Sequence, residues 1–197
     1  ITKHKQGAIA WKALNQNNRF LMDLEGQMES DGNIEYKVTL IAREDASVQD
    51  VALQTRLASG IGRYMMGLGE KGGYCPNDFS WKWDVEKNQD AVWVGDVNAG
   101  IQIRLYDNKY ERPLNTNFYH QKPLHMPVSW CNGGNGGIDI HNTADGTSIN
   151  AYSGKRSVKK GDRLYYYFNL ALTPFRPIDT NKQWRERYYH SYEFLDG

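Results

Sequence analysis

Between residues 19 and 42 the apolar side chains fall on every second position, the period of a strand with one buried face. Phe20, Met22, Leu24 and Met28 share one parity over residues 19–29, and Ile34, Tyr36, Val38 and Leu40 share one parity over residues 33–42. Ser30-Asp31-Gly32 decides how the two strands meet. A two-residue Asp31-Gly32 turn would set Met28 against Glu35 and Met22 against Ile41, mixing the faces of the second strand. A three-residue loop instead pairs Met28 with Ile34, Leu24 with Val38 and Met22 with Leu40, and puts Gly32 at the left-handed position of the bulge such loops use. The pattern predicts the three-residue loop.

The same arithmetic applied downstream predicts a second hairpin. Trp93, Gly95 and Val97 precede Asn98-Ala99-Gly100, and Ile101, Ile103 and Leu105 follow, so a three-residue loop pairs Val97 with Ile101 and Trp93 with Leu105, with Gly100 at the left-handed site. Further strands are expected at 8–14, 48–57, 137–141, 148–153 and 163–172, the last entered by a turn at Lys159-Lys160-Gly161-Asp162. Two stretches, 60–80 and 108–137, read as long irregular loops. A helix is expected only at 180–189, capped by Asp179, with Trp184 and Tyr188 on one face and Pro174 and Pro177 stiffening its approach. The fold class that follows is all-β, an antiparallel β-sandwich with long loops and a short C-terminal connector helix.

Composition narrows the function. A chain of 197 residues is one domain or two small ones, and 24 basic against 23 acidic residues lacks the basic excess of a nucleic-acid binder. No apolar run is long enough to span a membrane. Cys75 and Cys131 are too few for a disulfide framework and are expected to be two unbridged thiols. The start at Ile1 and the end at Gly197, with no turn to close a domain, suggest a piece of a longer protein.

Candidate chemistry concentrates in the two loops. Gly67-Leu68-Gly69-Glu70-Lys71-Gly72 matches the dinucleotide fingerprint in letters, but Gly73 and Pro76 oppose the helix that must follow it, so no cofactor is expected. Trp81 and Trp83 share one face of an extended segment, and Tyr74, Trp130, Asn77 and Asp78 lie in the same two loops. Such rings can stack on sugar faces while carboxylates and amides take hydroxyls; the competing reading is that the indoles are core. Tyr74, Asn77, Asp78, Trp81, Trp83 and Trp130 are therefore the candidate carbohydrate-binding residues. His120 and His125 lack a metal spacing and no metal is expected. Glu70, Asp78, Asp84, Glu86 and Asp90 read as surface carboxylates rather than an acid/base pair, so no catalytic residue is assigned.

Residues 63–74, Trp81-Lys82-Trp83, residues 92–100, residues 172–179 and Arg187-Tyr188-Tyr189-His190 together resemble the N-terminal β-sandwich region of bacterial proteins similar to glycoside hydrolase family 123. The resemblance implies a β-sandwich over residues 1–176, of which a galactose-mutarotase-like supersandwich is one form, and a connector over 177–197 toward a C-terminal catalytic barrel. It implies hexosaminidase chemistry in that barrel, assisted by the substrate's acetamido group and served by an adjacent Asp-Glu pair. No such pair occurs in this chain; Glu44-Asp45 has the reverse order. It also implies a secreted or periplasmic bacterial protein. The expected role is an accessory, non-catalytic domain whose partner is its own barrel and which contributes to the substrate cleft; an independent carbohydrate-binding module is the alternative.

Overall fold

A computed structural model describes residues 1–5, 7–83, 91–109, 126–174 and 179–186. Three antiparallel sheets account for most of them. The strands are β1 (Lys3–Lys5), β2 (Ala8–Gln16), β3 (Phe20–Glu29), β4 (Asn33–Ala42), β5 (Ala46–Val48), β6 (Ala52–Leu57), β7 (Tyr64–Gly67) and β8 (Glu70–Tyr74). They continue with β9 (Asp78–Lys82), β10 (Ala91–Asp96), β11 (Ala99–Tyr106), β12 (Gly137–Thr143), β13 (Gly146–Tyr152), β14 (Arg156–Val158) and β15 (Arg163–Thr173). A nine-stranded sheet runs β1-β2-β3-β4-β15-β11-β10-β7-β8, a four-stranded sheet runs β6-β13-β12-β9, and β5 pairs with β14. The larger and smaller sheets pack face to face: Val92, Val94, Ile103, Leu105 and Tyr166 of one share a core with Trp81, Ile138, Ile140, Ile149 and Ala151 of the other. The all-β antiparallel sandwich expected from the alternation is the observed fold.

The first hairpin has the register that parity predicts, with Met28 opposite Ile34, Leu24 opposite Val38 and Met22 opposite Leu40. Gly32 sits at φ 82°, in the left-handed region, and the Asp31 carboxylate accepts the Asn33 N–H at 3.0 Å to close the loop. The second hairpin differs from its prediction. Asp96 pairs with Ala99 across a two-residue turn, Val94 faces Ile101 and Val92 faces Ile103. Val92 and Val94 are the buried side chains of β10, while Val97 is 70% exposed. Trp93 lies on the opposite face across Gly95 and Gly100, where an added Cβ at either glycine would come within 2.7 Å of the ring; its indole N–H donates to Thr173 Oγ1 at 2.8 Å. Gly100 therefore serves close packing, not a left-handed turn.

Two other expectations need correction. Residues 48–57 are not one strand: the chain passes from β5 to β6 at Asp50, whose carboxylate accepts the N–H groups of Ser153 at 3.0 Å and Gly154 at 2.8 Å. Residues 60–80 are not a long loop but carry β7, β8 and the start of β9. The fingerprint-like glycine run is the β7–β8 turn, with Gly67, Leu68 and Gly69 all at positive φ, so its glycines turn a hairpin and open no helix. In residues 108–137 the described part holds a short helix α1 (Val128–Cys131) and a following 3-10 turn. The connector helix α2 spans Thr180–Arg185, and Asp179 caps it by accepting the Lys182 N–H at 3.0 Å. Tyr188, the domain boundary at 176 and the rest of the connector lie outside the described residues, as does the side chain of Trp184.

Candidate functional site

The structure separates the six candidate residues into two groups. Trp81, Trp83 and Trp130 are 5%, 8% and 1% exposed, which removes all three from any sugar platform. β9 pairs with β12, placing Trp81 opposite Ile138 and Phe79 opposite Ile140 on the core side. Asp78, Ser80 and Lys82 take the alternate, solvent-facing positions. Trp83 packs edge-on against Trp81 with ring centres 4.8 Å apart. Trp130 in α1 meets Tyr166 edge-on at 4.9 Å, and its N–H donates to the Tyr167 carbonyl at 3.0 Å. Cys75 and Cys131 are buried and free, and burial pushes the Cys75 thiol up.

Tyr74, Asn77 and Asp78 remain at the surface. Tyr74, at the end of edge strand β8, is 75% exposed. Its ring stacks on Tyr64 at 5.3 Å, and the Arg63 guanidinium lies 5.3 Å and 5.9 Å from the two ring centres. Asn77 and Asp78 line an open cleft of about 420 Å³ with Asn142, Thr143 and Ala144. The β9–β12 ladder brings these segments together: Asp78 Oδ1 lies 2.7 Å from His141 Nδ1, and the Asn142 N–H donates to the Asn77 carbonyl at 2.8 Å. The Asn142 side-chain oxygen accepts from Thr147 Oγ1 at 2.8 Å. Asn142 and Thr143 carry no signal of this site in the sequence, and His141 reads there as isolated, because nothing local announces that residue 78 pairs with residue 141.

The cleft can hold polar groups through Asn77, Asp78, Asn142 and Thr143. It offers Asp78 as a carboxylate, already paired with His141, and no second carboxylate faces it among the lining residues. Among the described residues no cluster of histidine, cysteine and carboxylate side chains could hold a metal. Glu44 pairs with Arg19 at 3.2 Å, and Asp45 with Lys159 at 2.8 Å and the Lys160 N–H at 2.9 Å, hydrogen bonds that hold the Asp45 carboxyl below its usual range. Both are surface ties. His120, His125, Asp84, Glu86 and Asp90 lie outside the described residues.

Fold and site together define a class: an antiparallel β-sandwich domain with a shallow polar cleft and an aromatic edge. The chain belongs to the family described as glycoside hydrolase 123, third domain, whose model matches residues 1–174. As a third domain it shares its polypeptide with other domains; the resemblance read from the sequence had placed the sandwich in the N-terminal region. Among solved structures, a galactose mutarotase related enzyme from Lactobacillus acidophilus matches with 7% identity and a TM-score of 0.49, over 88% of this chain and 70% of that one. A candidate kojibiose phosphorylase from the human microbiome matches with 9% identity and a TM-score of 0.34, over 91% of this chain and 19% of that one. No curated protein sequence matches significantly.

Proposed function

We propose that this chain is an accessory, non-catalytic domain of a glycoside hydrolase, which supports the catalytic barrel of the same polypeptide and contributes to the rim of its substrate cleft. The observation that carries the reading is the burial of Trp81, Trp83 and Trp130. The residues best suited to a sugar platform stabilise the sandwich instead, and the surviving cleft holds one carboxylate tied to a histidine where glycoside hydrolysis needs two in distinct environments. The test is to assay the purified 197-residue chain against aryl glycosides, N-acetylhexosaminides included. No turnover above buffer is expected. Turnover abolished by substituting one carboxylate of this chain would overturn the reading.

A second reading, an independent carbohydrate-binding module, is favoured by one feature. Tyr74 presents an exposed ring within a few residues of Asn77 and Asp78, a spacing of at most about 14 Å along the chain. Stacking on Tyr74 with hydroxyls held by Asn77 and Asp78 would be shallow, with a Kd of about 1 mM. Glycan titrations of the chain and of Tyr74→Ala decide it: binding lost in the variant supports the module, and no binding by the parent removes it.

A further inference from the structure

The two faces of β2, β3 and β4 differ in kind. On the outer face the strands carry Lys12 paired with Glu25, and Lys37 beside Glu35 at 3.3 Å. The inner face, which continues the wall of the sandwich core, carries no charged residue on any of the three strands. Trp11, Met22, Leu24, Met28, Ile34 and Tyr36 dominate it. Trp11 lies across Gly26, where an added Cβ would meet the indole at 2.2 Å, and packs edge-on against Tyr36 at 5.6 Å. Tyr36 stacks on Phe168 of β15 at 4.9 Å, so this surface joins the core without a break.

The core stops short of it. Among the described residues of β2, β3 and β4, Val38 alone packs against the buried cluster between the sheets and Ala42 is buried, while Trp11, Met22, Leu24, Ile34 and Tyr36 are half-buried. At a spacing of about 4.8 Å, nine strands span about 38 Å and four span about 14 Å, so the smaller sheet cannot cover the larger one. A sheet face left to solvent alternates toward polar residues; this one is as apolar as the covered part, and Met28 is 38% exposed. A contiguous apolar face of this kind marks a contact surface.

We infer that the inner face of β2–β4 is the seat of another domain of the same polypeptide, one that presents an uncharged apolar surface. The occupant follows from two observations: the family is a third domain with others in its chain, and through Tyr36 and Phe168 the face runs into the apolar core between the sheets, so that a covering surface would extend that core. The inference rests on the accessory reading above and deepens it by naming the face.

Hydroxyl-radical footprinting tests it, comparing the full-length protein with the 197-residue chain. Met22 and Met28 report on the proposed seat; Met66, on the outer face and 52% exposed, and Met65, 2% exposed, are internal references. Met22 and Met28 should oxidise several-fold more slowly in the full-length protein than in the chain alone. Equal rates in the two would overturn the inference. So would slow oxidation of both in the chain alone, which would mean that the face is already covered there by this chain or by a second copy. Protection of Met66 without Met22 and Met28 would place the neighbouring domain on the outer face, sinking this inference while leaving the accessory reading intact.

Discussion

Tyr74 and Trp81 are both aromatics near the ends of strands, yet their loss has different consequences. Trp81→Ala empties a core position and should cost ~3–5 kcal/mol of stability in urea titrations. Tyr74→Ala removes an exposed ring stacked on Tyr64 and should cost about 1 kcal/mol. Equal costs would show the burial assignment to be wrong. Trp81→Phe should be milder than Trp81→Ala, because the buried indole N–H has no partner among the described residues and losing an unsatisfied donor returns part of the ~1–3 kcal/mol such a group costs. Protons act at the same scale. Burial raises the thiol of Cys75 and the hydroxyls of Tyr106 and Tyr166, with Tyr106 further held protonated by donating to Glu35 at 2.6 Å. The folded state then keeps protons that the unfolded chain releases at about 8.5 for cysteine and about 10 for tyrosine. Stability from these groups is intact below those values and falls as pH rises through them. Urea midpoints should drop between neutral pH and pH above about 10, and a flat profile would contradict the buried placement of all three.

At the scale of elements, the two hairpins show what alternation can and cannot decide. Gly32→Ala should cost ~1–2 kcal/mol, the penalty of a side chain in the left-handed region. Gly100→Ala should cost ~1–3 kcal/mol by overpacking, since its Cβ would meet Trp93 at 2.7 Å and Thr173 Oγ1 at 2.9 Å. Both contacts are side-chain contacts, so most of that cost should vanish in a Trp93→Ala background, as a double-mutant cycle would measure. A cost that persists there would point to backbone strain at Gly100 and the register first read from the sequence. That first register was legible at Ser30–Gly32 because β3 and β4 each have one apolar and one polar face. It was illegible at the second hairpin because β10 is apolar on both: Val92 and Val94 face the core while Trp93 covers two glycines behind it. β7 and β8 were missed for a related reason, their glycines being turn and edge residues that erase the alternation. The candidate site was half legible. Asn77 and Asp78 stood out as polar residues beside a turn, but the same-parity Trp81 and Trp83 fit a platform and a core equally well until β12 supplied the partner strand.

For the whole molecule, a sandwich with its indoles in the core and an apolar face to spare is proposed to belong to a larger assembly within its own polypeptide. Such a domain shows no turnover alone, but neither does an inert module. Coupling to the rest of the protein is more direct, because a domain that packs on a neighbour is stabilised by it. The decisive measurement is differential scanning calorimetry of the 197-residue chain beside the full-length protein, with the unfolding of this domain followed in each by near-ultraviolet circular dichroism of its buried tryptophans. Tm for this domain should rise in the full-length protein, and the domain should unfold together with the neighbour it supports. An unchanged Tm and a separate transition for this domain would contradict the proposed assembly.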